Sequence, residues 1–137
     1  MRFPGRIKKN GRFWLVEIPA FDAFTQGRTK REAFAMAEDL IETMAGGRGF
    51  RATVYPTGGE TLEIGANRIN VFLALLLRRQ REHHGLTLAA AAERLGQRSR
   101  NAYARYEQGK TRPTVEKLEQ LLKAVAPDQK IVWHVAA

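Results

Sequence analysis

The 137-residue chain has no cysteine. That excludes a disulfide framework, a thiolate nucleophile and a thiolate zinc site, and it fits a reducing compartment. Long apolar runs are missing too. The opening "MRFPGRIKKNGRFW" has no signal-peptide core, and no stretch approaches membrane-spanning length. The expectation is a soluble cytoplasmic protein that makes no use of a membrane. Histidine is scarce: three residues, none within the first 66. In that half Glu17, Asp22, Glu38, Asp39, Glu42, Glu60 and Glu63 form no recognisable metal-binding set. Glu38, Asp39 and Glu42 fall on the polar side of an amphipathic helix, where charge is expected anyway. The adjacent His83-His84 points to different helix faces, as a surface pair does more often than a ligand pair. No catalytic residue, metal or cofactor is expected, and no internal repeat or low-complexity linker divides the chain.

The sequence does have positive charge, unevenly placed. Residues 1–66 carry 10 Lys/Arg against 8 Asp/Glu, whereas residues 67–137 carry 13 against 6. Within 94–112, six basic residues surround one acid, Glu107. A local excess of this kind suits phosphate neutralisation, with counterion release contributing affinity, although a basic surface that merely confers solubility has the same composition.

Patterning divides the chain at about Ala66-Asn67, predicting an α+β domain over 1–66 and a helical domain over 67–137. In the first half, "RFPGRIKK" and "RFWLVEI" flank Asn10-Gly11, a strong hairpin signal. "AFTQG" adds a brief strand. Thr29-Lys30-Arg31-Glu32 has the form of a capping box and opens a helix with apolar residues from Ala33 to Met44. "FRATVYP" and "ETLEIG" are two further strands around Gly58-Gly59. One helix on one face of a small antiparallel sheet is the predicted architecture. In the second half, "INVFLALLLRRQREHHG" and "TLAAAAERLG" give two helices, "SRNAYARYEQGK" a third, and "TVEKLEQLLKAV" a fourth. The tail "KIVWHVA" alternates and predicts a short C-terminal strand.

A short helix, a tight turn and a second helix with polar side chains at its start form a helix-turn-helix unit, whose second helix can enter the major groove. Tyr103 and Tyr106 face inward at helical spacing, which leaves Arg100, Asn101, Ala104 and Arg105 outside. Arg can pair with guanine and Asn with adenine. The stretch "LLRRQREHHGLTLAAAAERLG…SRNAYARYEQGKTRP" resembles the phage-repressor (Xre-type) helix-turn-helix domain. The resemblance implies that Arg81 and Glu107 form a buried ion pair. It implies that Arg98 and Ser99 lie at the phosphate-contacting entry to the recognition helix, that Arg100, Asn101 and Arg105 read bases, and that Lys110 and Arg112 meet the DNA backbone. Two departures are visible: Leu88 stands where the family usually has Gln, and the turn before the recognition helix is one residue longer.

The first half, "MRFPGRIKK…GRFWLVEIPAFDAFTQGRTKREAFAMAEDLIE", resembles the N-terminal domain of HicB antitoxins, with Ala23-Phe24 in place of the Gly-Cys often found there. That resemblance implies a partial ribonuclease-H-like fold without enzymatic activity, which caps a small mRNA-cleaving toxin of the HicA type. Three readings follow from the resemblance and the residues together. The first is an antitoxin that binds its toxin through 1–66 and double-stranded operator DNA through 67–137. The second is a transcription regulator with a ligand-sensing first half, and the third a nuclease or hydrolase targeted by the helix-turn-helix. Because such domains act in pairs on two half-sites, a homodimer or higher even-numbered oligomer is expected. Val71 and Leu75, which fall off the main apolar stripe, and Ile131 and Trp133 in the tail are its candidate contacts.

Overall fold

In the computed structural model, which describes residues 1–97 and 99–136, the first half is a five-stranded antiparallel sheet. Its strands are β1 (Arg2–Asn10), β2 (Phe13–Ile18), β3 (Ala23–Gly27), β4 (Ala52–Gly58) and β5 (Thr61–Ala66), in the order β3-β2-β1-β5-β4. The Asn10-Gly11 hairpin forms as expected, with Asn10 paired to Phe13 and Gly11 at positive φ. Pro4 is tolerated in β1 because β2 pairs only from Arg6 onward, so Pro4 has a strand on one side alone.

Helix α1 (Lys30–Ala45) is capped by the Thr29 hydroxyl, which accepts from the Glu32 amide at 3.0 Å. It buries Ala33, Ala37 and Ile41 against the sheet. Gly27 permits the close approach, since a Cβ there would strike the Ala33 backbone amide. At the other edge, Glu42 and Glu38 on α1 accept from the Ala52 and Val54 amides at 3.0 and 2.9 Å, covering outward N–H groups of β4.

The second half comprises α2 (Ile69–His83), α3 (Leu88–Arg94), α4 (Arg100–Glu107) and α5 (Val115–Val125). Sequence patterning predicts one helix over the sheet, but the structure supplies two. Phe72 of α2 is fully buried in the first half, stacked on Phe21 at 4.8 Å and edge-on to Phe3 at 5.2 Å, with Phe50 at 6.2 Å. Polar side chains fix the same helix to the turn before β3. Arg79 donates to the Phe21 and Asp22 carbonyls at 2.8 and 3.0 Å, and Gln80 to the Ala20 carbonyl at 2.8 Å. Asp22 holds a left-handed backbone, φ 48°, under these contacts. Arg78 also donates to the Met44 carbonyl at the end of α1.

This dual packing corrects part of the predicted dimer surface. Leu75 is only 3% exposed and Val71 is half-buried, and both line the seam between the end of α1 and α4. Helix α2 is apolar on several sides because it packs against both the sheet half and the other helices, joining them in one continuous core. The predicted C-terminal strand is also absent from residues 130–136, which have no regular secondary structure. Alternation alone does not form a strand, because the backbone groups need a neighbouring strand and this segment has none among the described residues.

Candidate nucleic-acid interface

Three hydroxyl caps and three glycines shape the helical half. Thr87 caps α3 by accepting from the Ala90 amide at 3.0 Å, and Ser99 caps α4 by accepting from the Asn101 amide at 3.2 Å. Thr114 caps α5 through the Lys117 amide at 3.1 Å. Gly85, Gly96 and Gly109 all have positive φ, where the chain leaves one helix and turns toward the next.

Helix α4 buries Tyr103 and Ala104 and half-buries Tyr106, leaving Arg100, Asn101, Ala102 and Arg105 exposed. The outward small residue is thus Ala102 and not Ala104, which packs inward beside Tyr103. Glu107 also turns inward. Arg81 donates to it from Nε at 2.7 Å and from Nη2 at 3.0 Å, while Nη1 donates to the Leu86 carbonyl at 2.7 Å. The two side chains are 14% and 6% exposed, so the expected buried pair is present. It joins α2, the α2–α3 turn and α4 through one guanidinium. The hydrogen bond to Glu107 holds the Arg81 pKa above its ordinary value. Burial, followed by the neighbouring Glu107 carboxylate, pushes the Tyr103 phenol up, so it remains protonated.

With its acid turned inside, α4 presents cations outward. Arg100, Arg105, Lys110 and Arg112 are exposed and make no ion pair among the described residues. Arg105 lies 3.5 Å from the Thr111 hydroxyl, which draws the loop after Gly109 toward the exposed side of α4. Of the other basic residues in 94–112, Arg94 donates to the Ala124 carbonyl at 3.0 Å and ties α3 to α5. Arg98 lies outside the described residues.

Residues 73–129 match a family described as a helix-turn-helix domain. The second half carries a helix-turn-helix domain. No curated protein matches the chain. The domain runs from within α2 through α5 and points to DNA binding and transcription regulation. No helix among the described residues is long and apolar enough to cross a membrane, and no group of three or more His, Asp or Glu among them could hold a metal ion.

Two connections of the domain carry no short sequence signature. His84 faces acceptors at both ring nitrogens: the Gln80 carbonyl 2.8 Å from Nδ1 and Asp128 2.7 Å from Nε2. The bond to the Gln80 carbonyl, then that to Asp128, raises the His84 pKa, while His84 lowers that of Asp128. His83 contacts Asp22 at 3.2 Å in the first half. The two histidine rings lie edge-to-face at 5.2 Å yet engage different partners, His83 the Asp22 carboxylate before β3 and His84 that of Asp128 at the start of the tail. A pairing over 44 residues cannot be read from local spacing.

Proposed function

We propose that this protein is a cytoplasmic antitoxin of the HicB type. It binds operator DNA through the helix-turn-helix domain and a HicA-type toxin through the sheet half. The observation that carries the DNA part is the inward pairing of Glu107 with Arg81, which leaves Arg100, Asn101 and Arg105 without an acid on an exposed helix face. Arg and Asn there can read guanine and adenine edges while Ser99, Lys110 and Arg112 meet phosphates. The toxin part is supported by the sheet half. Phe3, Phe21, Phe50 and Phe72 fill the space between sheet and helices, so a partner meets this half at its surface. The sheet's other face, with Arg6, Lys8, Phe24 and Gln26 exposed, remains available to a partner.

The functional unit is a homodimer formed through the tails. Val132, Trp133 and Val135 are 81%, 60% and 93% exposed, and Ile131 is partly so, an apolar excess that pairing would cover. Co-expression with a HicA-type toxin, followed by co-purification and an mRNA-cleavage assay, tests the partner. A folded protein that neither binds nor inhibits the toxin overturns that part. Deleting residues 128–137 should reduce the mass seen by light scattering to that of a monomer and abolish operator binding while sparing the toxin complex. A deletion variant that remains dimeric overturns the tail interface.

A further inference from the structure

The near-balanced charge of the first half conceals a segregated one. Strand register sets Lys9, Trp14 and Gly27 side by side across β1, β2 and β3. Arg12 lies in the adjoining hairpin turn, and Arg28, Lys30 and Arg31 follow directly on Gly27. Because bare Gly27 admits the first turn of α1, Lys30 reaches the Trp14 ring, its ammonium 5.0 Å from the centroid, with Lys9 at 5.8 Å. All five of these cations are exposed and make no ion pair among the described residues. Glu32 is the one acid in this end's turns, while Glu38 and Glu42 are engaged on β4 roughly 12–18 Å farther along α1.

This basic end is remote from the helix-turn-helix domain. Phe3 marks where the sheet meets α2, and Lys9 lies six residues on along an extended strand, about 20 Å away. We infer that Lys9, Arg12, Arg28, Lys30 and Arg31 form a second, sequence-independent docking surface for the phosphate backbone of duplex DNA. Protein interfaces deplete lysine at their centres and rely on aromatic anchors. Here the lysines lie over the Trp14 ring and occupy it against use as an anchor or as a platform for stacking unpaired bases. Clustered, unpaired cations suit phosphates and counterion release. A chain holding its operator at one end could then hold a second DNA segment at the other.

The test uses the full chain with Arg100→Ala, Asn101→Ala and Lys110→Ala to silence the helix-turn-helix. Fluorescence anisotropy with a random-sequence duplex is followed across a NaCl series. The silenced chain should retain salt-dependent binding. Adding Lys9→Gln, Lys30→Gln and Arg31→Gln should weaken it at least about tenfold and flatten the log–log salt slope by about 2.7, or 0.9 per lost phosphate contact. Adding Arg12→Gln and Arg28→Gln instead, which spares the cations over Trp14, gives the same direction of change should the triple fail to fold. Absence of residual duplex binding, or an unchanged slope in a folded variant, overturns the inference. So does binding confined to single-stranded RNA or to a polyglutamate chain.

Discussion

Glu107 shows how one inward-facing acid can shape an outward-facing surface. Its carboxylate is buried and accepts two bonds from Arg81, so Glu107→Gln leaves the guanidinium without its charge partner. Breaking such a pair costs about 3–5 kcal/mol, against about 1 or less for an exposed pair. The Glu107→Gln melt should therefore fall well below wild type, and a superimposable melt would contradict the burial. His84 gives a pH signature. Its folded pKa is raised, so its contribution is complete below the unfolded value of about 6.5 and fades as pH rises through the folded value. Asp128 has a lowered pKa, so its contribution is present above its unfolded value and fades as pH falls through the lower folded one. The melting difference between wild type and Asp128→Asn should be greatest between these limits and shrink toward pH 8. A difference independent of pH from 5 to 8 would show that the clasp carries no charge.

Among the elements, α4 and the loop after it should separate specificity from affinity. Asn101→Ala is expected to lose about 1–3 kcal/mol of discrimination between operator and random DNA. Lys110→Ala should weaken both alike and reduce the salt slope by about 0.9. Titrations of both duplexes at several salt concentrations check the division, and an unchanged binding ratio for Asn101→Ala would remove its base-reading role. Elements with local signals were legible in the sequence: the Asn10-Gly11 hairpin, the Thr29, Thr87 and Ser99 caps, and the Tyr103 face of α4. Elements whose state depends on distant partners were not. Ala104 lies on the edge of a helical stripe, where spacing alone cannot assign a side, and contact with neighbouring helices buries it. The tail alternates like a strand yet finds no strand beside it, and α2 looked over-apolar until both of its packing partners were visible.

For the whole molecule, the dual role of α2 governs stability. A fragment ending at residue 66 would lose Phe72 and uncover Phe3, Phe21 and Phe50. Fully burying one such ring is worth about 1.5–3 kcal/mol, a large share of the stability of a small domain. The 1–66 fragment should accordingly show no cooperative thermal transition, while the full chain melts in a single step by circular dichroism and tryptophan fluorescence. A sharp transition in the fragment would show that the sheet half is self-sufficient. If the chain behaves as expected, its two halves are not interchangeable cassettes. A recombination joining this sheet to another DNA-reading unit at residue 66 would import a foreign first helix without its Phe72, Arg79 and Gln80 contacts. New pairings of sheet and reading head would have to carry α2 with the sheet and rebuild its opposite face, or carry it with the helices and rebuild the aromatic cluster.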